Sequence, residues 1–276
     1  MRYTLQMSRL HNQRSGEGFM VSFDEWCEVE EETVNGHSLN TLLMPEDRFT
    51  VACELVAAVV PEHFASPERI SHILDRLGKP KAAAYLREKL PRTPSARSGD
   101  LGEILATQYI DERTEYTTPI NRLRWKDHRE MAMRGDDVIG IAFPEGDTPI
   151  KFIKTEVKSR AKLSTAVVQE ARLGLDYCDG LPSPHALTFI SDRLHEMGQD
   201  GLADHIECAQ LQDGITEEQV QHLFFTFCGN APGAFLNAGL ERYAGRIRQN
   251  AVGLRIVEHQ EFIRLVFEKV VANYES

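Results

Sequence analysis

The span MAMRGDDVIGIAFPEGDTPIKFIKTEVKSRAK, residues 131–162, holds carboxylates and an amine at a spacing that suits one kind of chemistry. Gly135-Asp136-Asp137 opens an apolar run through Val138, Ile139 and Ile141, and a second run extends from Ile150 to Lys158. In a strand, residues two apart share a face. Glu156 and Lys158 therefore project together, with Val157 turned the other way. An Asp entering one strand and a Glu-x-Lys leaving its neighbour suit a single divalent cation and a water, the machinery of phosphodiester hydrolysis. Mg²⁺, or Mn²⁺ in its place, takes hard oxygen ligands. Asp137 and Glu156 supply two, the backbone carbonyl of Val157 a third, and Glu103 approaches from a preceding helix, directly or through water. Lys158 orients the water or offsets charge on phosphorus.

Each part also has an ordinary reading. A Glu-x-Lys on a strand is commonly a solvated face with an exposed ion pair. Gly-Asp-Asp is commonly a turn, and Glu103 alone is an exposed helical residue. The conjunction, in this order and with these apolar flanks, favours the site. His128 reads as a solvated loop residue, Phe224, Phe225 and Phe227 as core, and Trp125 as strand-edge packing in preference to a base-stacking platform.

These residues need elements to hold them. Leu101, Ile104, Leu105 and Tyr109 form one stripe of a helix expected over 100–110. Residues 122–125 read as a short strand, and the two strands of the motif follow. A helix is expected from Ser164 to Tyr177, carrying Val167, Val168, Ala171 and Leu175. Further on come a helix after Pro182-Ser183-Pro184, a buried strand over 220–227, a strand over 254–257 and a final helix with Phe262, Ile263, Val266 and Val270. Residues 1–45 alternate weakly, with turn signals at Ser15-Gly16-Glu17-Gly18 and Asn35-Gly36 and an acidic edge or loop at 28–32. From Pro45 to Leu90 the spacing is helical. Ser66-Pro67 places a cap and a first-turn proline ahead of Ile70 and Ile73. A break over 91–99 sets the expected boundary between an N-terminal region, 1–95, and a second domain, 96–276.

Composition is that of an ordinary globular chain. No apolar run approaches the ~20 residues that span a bilayer, and the N-terminal stretch lacks the apolar segment of a signal peptide. The cysteines at 27, 53, 178, 208 and 228 form no C-x-x-C pair, so reduced thiols in a cytoplasm are expected. The net charge of −11 argues against a free-standing nucleic-acid binder. Residues 113–162 nevertheless carry 11 Lys/Arg against 8 Asp/Glu. The excess is small, which leaves the main grip on phosphate to a partner.

The order helix, strand, strand, strand, helix, with Glu103, Asp137 and Glu156-Val157-Lys158 in place, resembles the PD-(D/E)xK nuclease superfamily over residues 99–177. That resemblance implies an α/β (α+β) fold with a mixed-sheet, restriction-endonuclease-like core beside a mainly helical N-terminal region. It also marks Gln169 as a polar helper, and it favours Asp137 over its neighbour Asp136. The segments SGDLGEILATQYI, PINRLRWKDHREMAMRGDDVIGIAF and IKTEVKSRAKLS more closely resemble the HamA nuclease subunits of bacterial Hachiman anti-phage systems, over about 95–180. This second resemblance implies a DNA nuclease in complex with a superfamily 2 helicase that restrains or activates it. The chain has no G-x-x-x-x-G-K-[ST], so ATP hydrolysis would fall to the partner. The alternative is a non-catalytic adaptor that uses the same fold to hold DNA or the helicase. A nuclease acting on RNA is a third reading.

Overall fold

Apolar strands flanked by amphipathic helices build one mixed sheet with helices on both faces. The computed structural model describes residues 21–144 and 148–275. The turn signal at 15–18 lies outside them. Helix α1 (Phe23–Trp26) leads into strands β1 (Glu28–Val34) and β2 (His37–Leu43). Asn35 (φ 50°) and Gly36 (φ 80°) make the turn between them, as a two-residue hairpin with positive φ at both positions requires. Three helices follow: α2 (Phe49–Phe64), α3 (Pro67–Leu77) and α4 (Lys79–Lys89). Ser66 caps α3 by accepting from Arg69 N, with Pro67 in the first turn.

The long helix α5 (Pro94–Arg113) begins inside the expected break, because Thr93 accepts from Ala96 N and Pro94 takes the first turn. Strands β3 (Val138–Ala142) and β4 (Lys151–Arg160) come next, then α6 (Thr165–Asp176), α7 (Pro184–Glu196) and α8 (Asp200–Glu207). The chain continues through β5 (Val220–Cys228), α9 (Gly233–Glu241), β6 (Gln249–Arg255) and α10 (His259–Ala272). The strand order is β1-β2-β6-β5-β4-β3. The inner strands run parallel, and the hairpin partners at both edges are antiparallel. This is the α+β, mixed-sheet architecture that the sequence implies.

One expected strand is absent. Residues Arg122–Trp125 form a short 3-10 turn. Arg124 Nε donates to Glu62 O (2.7 Å) and Arg122 Nη1 to Asp137 O (2.8 Å), so both side chains grip backbone elsewhere. The alternation Arg-Leu-Arg-Trp thus reflects two anchors and the buried Leu123, not a pleat. The place of a strand beside β3 is taken by a single antiparallel bridge, Thr117 to Ile141.

Alternation along β5 feeds both faces. Leu223, Phe225 and Phe227 enter the larger core with α1, α2, α5 and α10, where Val56, Leu101, Ile104, Phe262 and Val266 are buried. Phe224 joins Val168, Ala171 and Leu175 of α6 and Leu236 and Leu240 of α9 on the opposite face. A smaller cluster seats α7 and α8 against Ile139, Ile141 and Phe152. The hairpin β1–β2 completes the sheet beside β6, so residues on either side of the expected boundary share a sheet and the larger core.

Candidate metal centre

Strand length creates the site. The partners of β3 on β4 run only from Lys151 to Thr155, whereas β4 continues to Arg160. Among the described residues nothing pairs as a strand with 156–160 on that side, and Asp137 sits at the lip of the notch, one residue before β3. Asp137 Oδ2 accepts from Val157 N (2.8 Å), satisfying an edge N–H that the missing strand would otherwise take. The N–H and C=O of a strand residue point toward the same neighbour, so the Val157 carbonyl faces the notch too.

Face alternation divides the groups. Val157 packs toward α5, where a Cβ on Gly102 would lie 3.0 Å from its Cγ1. Glu156 lies close against α6: a Cβ on Gly174 would fall 2.3 Å from Glu156 Oε2, so any larger residue there displaces the carboxylate. Lys158 shares that face. Its ammonium donates to Glu156 Oε1 (2.7 Å) and pairs with Glu170 Oε1 (3.1 Å). Glu103 enters from α5 on the other side, with Arg122 Nε 3.9 Å from its Oε2. Asp137, at the edge between the faces, is the group whose field reaches both Glu103 and Glu156.

The electrostatics are those of crowded, poorly solvated carboxylates. Burial pushes the Glu156 carboxyl up to about 7, and Asp137 adds to the rise against the pull of Lys158. Burial also raises Glu103, opposed by Arg122 and reinforced by Asp137. Asp137 is raised by burial despite the hydrogen bond from Val157. Burial works against the Lys158 ammonium, but Glu156 and Glu170 outweigh it and hold its pKa above the ordinary value. Glu103 Oε2 is buried with no hydrogen-bond partner, as is Arg122 Nε. Carboxylate oxygens, one of them buried and unbonded, are the donor type that a hard divalent cation such as Mg²⁺ or Mn²⁺ takes, although those of Glu103, Asp137 and Glu156 do not all lie within 4.8 Å of one another.

The neighbouring acid has a different job. Asp136 is buried and accepts from Ser183 N (2.7 Å), with Lys154 Nζ 3.5 Å away. Lys154, also buried, donates to the Leu181 carbonyl (3.0 Å) and to that of Tyr177. Asp136 thus ties the lip of the notch to the loop ahead of α7, which leaves Asp137 to face it. Gln169 is exposed on α6. The side chain that reaches Lys158 from that helix is its neighbour Glu170.

Sequence reasoning missed three participants. Glu170 lies four residues before Gly174 on α6, yet nothing local marks it. Arg122 sits inside the misread strand. Lys126 pairs with the buried Asp100 of α5 (2.7 Å), and burial pushes the Asp100 carboxyl up to about 6 even against that ammonium. Among the described residues, the trio of acid and imidazole groups whose ligand atoms all lie within 4.8 Å of one another is His195, Asp204 and Glu207, at the surface. There His195 is already held by Asp200 and Glu207 (2.8 and 3.1 Å). No single helix among the described residues is long and apolar enough to cross a membrane.

Two comparisons bear on this arrangement. A family model described as HamA matches residues 20–270. The Hachiman protein HamA of Bacillus cereus is 28% identical over 135 residues, covering 49% of this chain and 47% of that relative. The match therefore spans about half the length of the curated relative.

Proposed function

The chain belongs to the HamA family, and on that premise we propose that it is a metal-dependent deoxyribonuclease effector of a bacterial anti-phage defence system. It works in complex with a DNA helicase subunit of superfamily 2 that restrains or activates it. The observation that carries this reading is the convergence at the notch. Asp137 at the lip of β3 raises both Glu103 of α5 and Glu156 of β4, and Glu103 keeps a buried Oε2 with no hydrogen-bond partner among the described residues, Arg122 Nε standing 3.9 Å away.

Asp137, Glu156, Glu103 and the Val157 carbonyl would hold Mg²⁺ or Mn²⁺, which when bound supplies the charge that polarises the phosphate and acidifies a water. The chain's own groups do the rest. Lys158, steadied between Glu156 and Glu170, donates to the attacking water or to a phosphate oxygen as negative charge grows there. Arg122 fixes the backbone of Asp137 through its carbonyl and places positive charge behind Glu103. Asp136 and Lys154 keep the lip rigid. We assign cutting to residues 96–276 and partner docking to 1–95, where β1 presents the exposed acids Glu28, Glu30, Glu31 and Glu32.

The test is cutting by the complex on single-stranded DNA, duplex DNA and RNA side by side, with Mg²⁺, Mn²⁺ or chelator. The expected result is metal-dependent DNA cleavage that disappears in Glu156→Ala and Lys158→Ala while both variants stay folded. Cleavage that survives chelation, or full activity in both variants, overturns the assignment. A complex that never cuts but binds DNA equally well with and without those substitutions is the adaptor.

A further inference from the structure

A hollow of about 550 Å³ lies beside the metal centre, lined among others by Arg122, Asp136 and Val138, the residues that flank or anchor Asp137. Thr107, one helical turn past Glu103 on α5, also lines it. The hollow therefore adjoins the notch along two of the elements that build it. Its mixed polar and apolar wall includes two large aromatic rings. Trp125 stands edge-on to Phe189 of α7, ring centroids 6.2 Å apart and planes at 86°. The Arg193 guanidinium lies 5.4 Å from the Phe189 centroid and 5.9 Å from that of Trp125. Both rings are only half-buried, and Met131, His185 and Arg134 stand exposed around the opening.

We propose that this hollow receives an unpaired nucleobase next to the phosphate to be cut, so that the substrate is a single strand, a frayed end or a base turned out of a duplex. The inference rests on the nuclease reading and adds its substrate class. Several features point to a base in particular. The volume lies in the ~300–1,000 Å³ range of sites for single small ligands, so a stacked duplex is kept out. Half-buried aromatic rings stack on any base without regard to sequence, and the Arg193 guanidinium beside these two rings adds positive charge to the same wall. His128, His185 and Asp127 on the lining offer donors and acceptors to a base edge, while Arg134 adds positive charge toward a phosphodiester strand. A base still paired within a helix cannot enter, so the strand must first be opened. A helicase is the kind of partner that opens strands.

The experiment separates this inference from the reading beneath it. Trp125 and Trp26 are the two tryptophans of the chain, and Trp26 is buried against Phe23 and Phe262. Emission that responds to DNA therefore reports Trp125. In the full-length Glu156→Gln chain with Mg²⁺, an oligothymidylate of roughly a dozen nucleotides should quench that emission, whereas a blunt hairpin duplex of equal length should not. By anisotropy of a labelled strand, Trp125→Ala should weaken oligothymidylate binding about 5- to 150-fold, the range that loss of one aromatic stack produces. Ala132→Phe, at an exposed position on the lining, narrows the hollow without burdening the core and should weaken binding similarly. Absence of quenching, or unchanged affinity in both variants, overturns the pocket. Quenching by the helicase subunit alone, with none by DNA, overturns it in favour of protein docking. Cutting is scored separately in the unsubstituted complex. Loss of the nuclease reading shows there, and the binding measurements decide the pocket either way.

Discussion

Glu156→Gln tests the charge balance of the notch without changing its shape. Burial, with Asp137 adding to it, raises the Glu156 carboxyl from 4.5 to about 7. A carboxylate raised on folding holds its proton more tightly in the native state. Its contribution to stability is therefore fully present below about pH 4.5 and is lost as pH rises toward 7. At 1.36 kcal/mol per pH unit the loss is at most about 3 kcal/mol. Coupling to Asp137 and the 17% residual exposure of the side chain reduce it. Glutamine does not titrate, so the metal-free variant should gain on the parent as pH rises, by about 1–3 kcal/mol at pH 8. That corresponds to roughly 2–10 °C in Tm for a chain of this size. A divalent cation that binds only the native state adds stability by mass action. In the parent the Tm rise with Mg²⁺ should be larger at pH 8 than at pH 5.5, because protons compete for the same oxygens; in Glu156→Gln it should be small at both. Differential scanning fluorimetry across pH, with Mg²⁺ or chelator, measures all four conditions. A variant less stable than the parent at pH 8 without metal, or one that keeps the full Mg²⁺ response, refutes the reasoning.

Gly174→Ala places a methyl group where the Glu156 carboxylate lies. Alanine favours the helix by up to about 1 kcal/mol, so the fold should persist while Mg²⁺ binding, read by calorimetry, falls at least tenfold. Glu170→Gln should lower cutting by freeing Lys158, whereas Gln169→Ala, at an exposed position, should leave it unchanged; initial rates on one DNA substrate compare the two. Asp136→Asn strands the buried Lys154 ammonium and should cost about 3 kcal/mol or more in urea unfolding. A loss under 1 kcal/mol would remove Asp136 from its anchoring role.

The sequence by itself determined most of the scaffold and marked the residues proposed as ligands. Apolar runs marked β3, β4 and β5, because strands covered on both faces carry apolar residues on both, and helical spacing marked α2, α5, α6 and α10. Glu156-Val157-Lys158 was legible as one face of a strand for the same local reason. Other features depended on distant partners. Residues 122–125 alternate like a strand, yet Arg122 and Arg124 spend their hydrogen bonds on the carbonyls of Asp137 and Glu62. That Asp136 is held by Ser183 and Lys154, and that Glu170 of α6, not its neighbour Gln169, pairs with Lys158, depended on residues far away in the chain. Strand length, too, is decided by pairing: β3 stops short of the end of β4, and that mismatch opens the notch. Periodicity is a property of neighbours in the chain, but a shared charge environment is a property of neighbours in space. Only the folded sheet could bring Glu103 and Glu156, from opposite faces, under the influence of one aspartate.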